Sequence, residues 1–295
     1  MNEIVKKFII YGLAAFALVI SWYPLSIFAQ SEETTEAETT SETEFETAYN
    51  FYQTQVGEYQ SAHAEYILKK TQYTRFKTLQ SQQEAQEATV KMLEARDDVV
   101  ISYMEALKLL LKESVGVSDS DRTTLNVRID ADIDWWTEHK EKIPSAGSLE
   151  DLSADSKVAQ GRYNFVEPLF YEVMATISSG KITDFDERLS DIFGEVKDKI
   201  IEIKSEERDD YKLSGQKLSQ LDRWILEADN RLLRAEEKHA EADKEIGTIV
   251  VAAQRRQNPI GVYNTAILRL NEAQQFLKDS GTYMKEIIKE VKTKE

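Results

Sequence analysis

Apolar and aromatic residues recur at alternating spacings of four and three along most of this chain, beginning at Phe45. The first run reaches Tyr73, changes register near Phe76 and Leu79, and then resumes as far as Leu110. Heptad spacing of this kind is typical of helices that pack side against side. A change of register alters the supercoil or breaks the helix. The pattern therefore predicts one long helix over residues 48–115, or two shorter helices with a break near the change.

Shorter helices are predicted over residues 119–204, where turn-forming residues interrupt the apolar pattern. The segment from Pro144 to Gly147 is the clearest linker. We expect Pro168 to kink the helix that contains it. We also expect Gly180 to end that helix and Thr183 to begin the next one, because glycine favours helix C-termini and threonine favours N-caps.

A C-terminal helical pair is predicted over residues 205–295. Its first member keeps a three-and-four spacing without interruption, and Asn258-Pro259 then breaks the chain before the last helix. The repeating positions of the first member include Leu221, Ala228, Leu232 and Ala235. We expect these positions to be buried.

Together these segments predict an all-α protein. Connections between helices are short, and glycine and proline number only 11 and 4, too few for the tight turns of most all-β and α/β folds. The expected architecture over residues 48–295 is an elongated antiparallel helical bundle or coiled coil of about five to seven helices.

The N-terminal 29 residues have the layout of a secretory signal peptide. Lys6 and Lys7 precede an apolar run that starts at Phe8, Pro24 interrupts the run, and Ala29 provides a small residue for cleavage. An uncleaved anchor is the alternative, because the span from Phe8 to Ala29 is long enough to cross a bilayer as a helix. In both cases the rest of the chain is expected to be exported, and thus extracytoplasmic, secreted or on the cell surface.

Residues 30–47 are predicted to be a disordered spacer. Positions 31–47 hold seven Glu, six Thr and two Ser with no basic residue, so the segment cannot bury enough apolar surface to offset its ordering entropy. Glutamates that repel one another extend such a segment. The helical part is therefore expected to begin at residue 48.

Charge and cysteine content exclude several kinds of partner and site. The formal net charge of −16 argues against nucleic acid and against an anionic lipid surface as main partners. Membrane contact is expected only through residues 1–29, if they stay uncleaved. The chain has no cysteine, which excludes disulfides, thiolate metal sites and cysteine nucleophiles.

Candidate chemistry is sparse. Glu236 and His239 form one Glu-x-x-His unit, but a carboxylate-bridged di-iron site needs a second unit that the other two histidines do not supply. Asp130, Asp132 and Asp134 alternate as in a calcium-binding loop, yet Trp135 occupies the position of the required glycine. We predict no metal, no cofactor and no catalytic residues, and hence no enzyme.

One helix face carries an unusual set of tyrosines. They share the heptad register of the first helix and would line one side of it: Tyr49, Tyr52, Tyr59, Tyr66 and Tyr73. A tyrosine seam buries ring area while its hydroxyls reach a wet edge, so it suits a bundle core with amphipathic rims. The same face could also bind a partner helix or a polysaccharide if it were left exposed.

These features predict a non-enzymatic, extracytoplasmic helical scaffold or interaction module of a bacterial cell envelope. Its partner would be another protein or a second copy of the chain, held through helical faces. The alternative is an exported helical bundle that binds a small ligand or acts as a sensor. A cavity lined by tyrosine and carboxylates would favour the alternative, whereas a filled core with exposed apolar side chains would favour the scaffold.

Overall fold

The computed structural model describes residues 43–205 and 213–292. The predicted signal peptide and most of the predicted spacer lie outside these residues. The described elements are seven α-helices and one 3₁₀ turn at Ile143–Ser145, which confirms the all-α bundle. The α-helices are α1 Glu44–Phe76, α2 Leu79–Glu113, α3 Asp119–Lys142, α4 Leu149–Ser205, α5 Gly215–Ile246, α6 Ile249–Gln254 and α7 Pro259–Lys292.

Helix α1 begins inside the segment that was predicted to be a spacer. Thr43 and Glu46 form a capping box: the Thr43 hydroxyl accepts from the Glu46 N–H, and the Glu46 carboxylate accepts from the Thr43 N–H. This exchange satisfies two helix N–H groups that otherwise lack partners. Capping chemistry thus orders the last residues of the range 30–47, although their composition alone favours disorder.

The expected helix over residues 48–115 is two helices, and the break lies at the change of register. Lys77 adopts a left-handed backbone conformation with φ of 49°, and its N–H donates to the Tyr73 carbonyl. Thr78 and Ser81 then exchange hydrogen bonds, in which the Ser81 N–H donates to the Thr78 hydroxyl. Lys77 in the left-handed conformation ends α1. The Thr78 hydroxyl, which accepts a hydrogen bond from an N–H group in the first turn of α2, caps the start of the next helix.

Helices α1 and α2 form an antiparallel hairpin. The Phe45 N–H at the start of α1 donates to Glu113 at the end of α2, and Lys69 near the end of α1 pairs with Glu84 near the start of α2. The turn at residues 77–78 is therefore the closed end of the hairpin. We call this end, residues 66–83, the hairpin tip.

The prediction that Gly180 ends a helix and that Thr183 starts another is wrong. Helix α4 continues without interruption from Leu149 through Pro168 and Gly180 to Ser205. Glycine at position 180 instead allows residues 115–117 to pack closely against α4. A Cβ atom at this position would lie 2.6 Å from Val117 Cγ2 and 2.8 Å from the Val115 carbonyl oxygen. The missing side chain makes room for a neighbouring backbone, which is a second use of glycine.

The chain divides into two compact units, and α4 takes part in both. Unit 1 contains residues 43–113 and 119–174, and unit 2 contains residues 114–118 and 175–292 of the described chain. Unit 1 thus holds α1, α2, α3 and the first part of α4. Unit 2 holds the rest of α4 with α5, α6 and α7. Within unit 2, Gly180 of α4 lies beside residues 115–117, which belong to the connection between α2 and α3.

In unit 2, α5 and α7 run antiparallel with small residues between them. The Ser280 hydroxyl on α7 donates to the Ala228 carbonyl on α5 at 3.0 Å, and both residues are fully buried. Buried alanines recur every seven residues on α5, at Ala228, Ala235 and Ala242. Leu232, which was predicted to be buried with them, is only partly buried. Small side chains allow the two backbones to approach closely, so the alanines form the seam and the longer residues flank it.

Candidate functional site

The tyrosine stripe of α1 does not form one continuous surface. Tyr52 and Tyr59 are each 1% exposed and lie in the core of unit 1, whereas Tyr49, Tyr66 and Tyr73 are partly exposed. Tyr52 packs against Tyr103 of α2 at 5.3 Å between ring centroids. The two central members therefore cannot reach a partner while the chain is folded.

Burial affects the hydroxyls of these core tyrosines. Loss of solvent raises the pKa of Tyr59 to about 12, although the nearby Arg96 charge opposes the shift. Burial likewise raises the pKa of Tyr52 and, in the same unit, that of Tyr163. Among the described residues the Tyr59 hydroxyl has no hydrogen-bond partner. These groups stay protonated at neutral pH and offer no base.

Unit 1 also contains a charged network that the sequence pattern does not reveal. Arg96 and Asp97 are neighbours on α2 and both are completely buried. The Arg96 Nε and Nη2 atoms donate to Asp97 Oδ1 at 2.9 and 2.8 Å. The other carboxylate oxygen of Asp97 lies 2.5 Å from Nδ1 of His139 on α3. Buried charges need such pairing, because an isolated one is very costly.

The first part of α4 and two tryptophans complete this network. Arg96 Nη1 donates to the Ser156 hydroxyl, and His139 Nε2 lies 3.3 Å from the Asp155 carbonyl oxygen. Trp135 stacks on the His139 ring at 5.1 Å, and the fully buried Trp136 lies beside Arg96. The network therefore joins α2, α3 and α4.

An Asp–His pair can serve as a catalytic base, so we asked whether this one is available. A base in that arrangement needs a second ring nitrogen that faces a substrate. His139 Nε2 instead faces the Asp155 carbonyl, which only accepts hydrogen bonds. Each ring nitrogen of His139 therefore faces an acceptor on another helix. The geometry favours a role in holding three helices together over acid–base chemistry.

Unit 2 brings together a serine, a histidine and an aspartate. The Ser179 hydroxyl on α4 lies 2.7 Å from His239 Nε2 and donates to Asp243 Oδ1 at 2.6 Å. A hydroxyl has one proton, and a carboxylate can only accept it. His239 Nε2 must therefore donate to the Ser179 oxygen, which is opposite to the transfer that activates a nucleophilic serine.

Asp186 of α4 lies near the same cluster. Burial raises the pKa of its carboxyl group, the negative charge of Glu236 raises it further, and His239 opposes both effects. Among the described residues Asp186 Oδ1 has no hydrogen-bond partner. Glu236 is exposed and His239 is partly buried, so the Glu-x-x-His unit forms part of a surface-proximal polar cluster.

The structure also locates the other residues that were considered for metal binding. Asp130 and Asp132 lie on α3 and form ion pairs in different directions, with Lys108 of α2 and Arg162 of α4. Their carboxylates therefore do not converge with Asp134 on one point. Over the described residues, no group of three or more histidine, aspartate or glutamate side chains is arranged to hold a metal ion.

Large apolar side chains remain exposed on several helices. Leu226 and Leu233 lie seven residues apart on α5 and are each more than half exposed. A depression along the same helix is lined by Glu227, Asn230, Arg231, Leu233, Arg234 and Glu237. No tyrosine is among the described residues that line it. Within the described ranges, no helix is both long enough and apolar enough to span a membrane.

The exposed apolar residues are also concentrated at the hairpin tip. Phe76 is 60% exposed and Leu79 is 72% exposed, and Leu68 is also more than half exposed. Basic residues lie among them at Lys69, Lys70, Arg75 and Lys77. This end of the hairpin therefore combines apolar and cationic side chains.

Comparison with known proteins adds no functional information: no protein-family model, no curated protein and no solved structure matches this chain.

Proposed function

We propose that this protein is a non-enzymatic, extracytoplasmic helical scaffold or interaction module of a bacterial cell envelope. One observation carries the proposal: large apolar side chains stay exposed at helical spacing, although many other apolar side chains are buried in both units. Leu226 and Leu233 on α5 are the clearest pair. Two exposed leucines one heptad apart match the spacing with which one helix packs on another.

The two polar clusters support a structural role for the chemistry-bearing residues. Both ring nitrogens of His139 face acceptors within unit 1, and the Ser179 proton is directed to Asp243. The tyrosines that could have lined a ligand cavity, Tyr52 and Tyr59, pack in the core instead. These contacts favour the scaffold over the ligand-binding bundle.

Export is the part of the proposal that depends on residues 1–29. We expect the exported chain to begin at Gln30, because Pro24 interrupts the apolar run and Ala29 suits cleavage. Intact-mass measurement of the protein recovered from cells tests this step. A chain that retained Met1 and stayed inside the cell would contradict export.

The interaction itself is tested by a photo-crosslinking residue at Leu233, with the same residue at buried Leu221 as the matched control on α5. We expect position 233 to yield one discrete crosslinked product, either a dimer or one partner, and position 221 to yield only intramolecular products. Replacing both Leu226 and Leu233 with Asn should remove that product without changing the helical circular dichroism. If the chain sediments as a monomer and position 233 captures nothing discrete, the scaffold proposal fails.

A further inference from the structure

The distribution of charge along the sequence singles out the hairpin tip. Residues 66–83 contain no Asp or Glu but four basic residues, in a chain whose net charge is −16. Of these four, Lys69 pairs with Glu84 at 2.7 Å. Lys70, Arg75 and Lys77 are exposed, and none of them has a carboxylate partner among the described residues. The tip is thus a local positive end on an acidic molecule.

The charges at the tip itself, and not the net charge of the whole chain, determine which charged surfaces the tip can bind. At physiological ionic strength the field of an exposed charge decays over about 8 Å. Helix α1 has 33 residues, which corresponds to a length of about 50 Å. The acidic residues at the far end of the hairpin are therefore screened from the tip. The net charge of the whole chain does not exclude an anionic surface that meets the tip alone.

Exposed apolar side chains define the kind of anionic surface. Leu68, Phe76 and Leu79 are each more than half exposed, and they lie within the same hairpin tip as Lys70, Arg75 and Lys77. Lys70 donates a hydrogen bond to the Tyr66 hydroxyl, which leaves its positive charge without a carboxylate partner among the described residues. The Arg75 guanidinium lies 5.4 Å from the Phe76 ring centroid, so a cation and an aromatic ring are presented together. A soluble polyanion could pair with the charges but would leave the leucines and the ring in water. A bilayer interface accepts both.

We propose that the α1–α2 hairpin tip binds end-on to the surface of a bilayer that contains anionic phospholipid. Lys70, Arg75 and Lys77 contact the headgroup phosphates, and Phe76 and Leu79, at the turn itself, enter the boundary between headgroups and acyl chains. This inference is independent of the helical partner proposed above, because the tip belongs to unit 1 whereas Leu226 and Leu233 lie on α5 of unit 2. Each juxtamembrane cation strengthens binding by about fivefold.

The other hairpin provides an internal comparison. Residues 246–271, around the connection between α5 and α7, also lack Asp and Glu, and Arg255 and Arg256 are exposed there. Its exposed large apolar side chains are Val251, at 37%, and Leu268 farther along α7. Because it presents fewer cations and less apolar area at its turn, we expect it to contribute less than the α1–α2 tip.

The experiment uses the full chain and a single fluorescent label, which is possible because the chain has no cysteine. Thr74→Cys places an environment-sensitive dye at the tip. Thr54→Cys is the matched control, because both threonines are exposed on α1 and each hydroxyl donates to the carbonyl four residues earlier. The two labels lie about 30 Å apart along the helix.

We expect the dye at position 74 to shift to the blue with vesicles that contain phosphatidylglycerol and not with phosphatidylcholine alone. The dye at position 54 should not respond. Replacing Lys70, Arg75 and Lys77 with Gln should weaken the response on the order of 100-fold. The matched variant replaces the exposed Lys142, Lys199 and Lys289 with Gln, which changes net charge equally, and should weaken it by less than about threefold.

Several outcomes would overturn the proposal. Equal responses at positions 54 and 74, or equal responses to the two kinds of vesicle, would show no specific contact at the tip. If Phe76→Ser with Leu79→Ser leaves the response unchanged, apolar insertion is wrong. If inorganic polyphosphate produces the same shift as the vesicles, the tip binds polyanions and not a bilayer. Thermal melts of all variants establish that each one is folded.

Discussion

At the scale of single residues, the packing of unit 1 is constrained most by the buried network of Arg96, Asp97 and His139. Asp97 accepts hydrogen bonds from Arg96 on one oxygen and faces His139 on the other, and neither Arg96 nor Asp97 reaches solvent. Removing one member of a buried charged group leaves another charge without compensation. The network therefore fixes how α2, α3 and α4 must pack, since any other packing would strand a charge.

Asp97→Asn is expected to destabilise the protein by about 3–5 kcal/mol, because buried Arg96 would lose its carboxylate partner. The matched control is Asp98→Asn on the same helix. Asp98 pairs with Lys140 at 2.6 Å, but the side chains of both residues are about one third exposed. The control should therefore cost less than about 1 kcal/mol. Urea unfolding followed by circular dichroism measures both values, and equal losses would contradict the importance of burial.

The heptad spacing puts Tyr52 and Tyr59 on one helix face with three other tyrosines, but it does not show which of the five are buried. It also gives no sign of the Arg96–Asp97–His139 network. Arg96 and Asp97 lie between the buried residues Leu93 and Val99, yet a charge in such a run is read as part of a solvated face. The two charged side chains can be buried because His139 of α3 and Ser156 of α4 contact them. The spacing of residues along α2 does not show that these two partners are present.

At the scale of helices, α4 shows where local rules fail. Gly180 was expected to end a helix, yet it lies inside one continuous helix. Gly180 is required by residues 115–117, which pack against its backbone within unit 2. Glycine at a helix end and glycine at a close approach look alike in sequence, so the pattern could not distinguish them. The break at Lys77 was predictable because the apolar register itself changes there.

Gly180→Ala is expected to destabilise the protein by about 1–3 kcal/mol, because its Cβ atom would overlap Val117 Cγ2 and the Val115 carbonyl. Gly194→Ala is the matched control on the same helix. Nothing lies within 4 Å of a Cβ atom at Gly194, so alanine should stabilise the helix by up to about 1 kcal/mol. Opposite signs in thermal unfolding are the expected result. Stabilisation by both substitutions would show that residues 115–117 do not approach Gly180.

At the scale of the whole molecule, the sequence predicted the all-α class but not the division into two units. Heptad spacing identifies the buried face of each helix, yet it does not specify which helix covers that face. The pairing of α1 with α2 and of α5 with α7 depends on cross-helix contacts such as Lys69 with Glu84 and Ser280 with Ala228. The boundary between the units at residues 174–175 falls inside the continuous helix α4, so no linker sequence marks it.

Buried tyrosines in both units predict how stability depends on alkaline pH. Burial raises the pKa of Tyr59 in unit 1 and of Tyr263 in unit 2 to about 12. In the unfolded chain such hydroxyls titrate near pH 10. The folded chain thus holds more protons between about pH 10 and about pH 12, and the free energy of unfolding should fall as pH rises through that range.

Tyr59→Phe tests this pH dependence without breaking a hydrogen bond, since the Tyr59 hydroxyl has no partner among the described residues. The variant should lose stability less steeply than the parent chain between about pH 9 and about pH 11 in urea unfolding. Tyr73→Phe removes a hydroxyl from a partly exposed position of the same helix and is the matched control, against which the change in slope of Tyr59→Phe is compared. An unaltered slope for Tyr59→Phe would mean that Tyr59 titrates alike in both states.

The segment at residues 114–118 also has a consequence for the order of folding. It connects two helices of unit 1, yet it packs in unit 2, where Val117 is buried and faces Gly180. A chain that emerges from its N-terminus, during synthesis or export, presents Val117 well before the part of α4 that covers it. Unit 1 can fold around its own core in that interval, but the Val117 side chain remains exposed to solvent. A nascent chain halted near residue 174 therefore exposes an apolar site available to a chaperone.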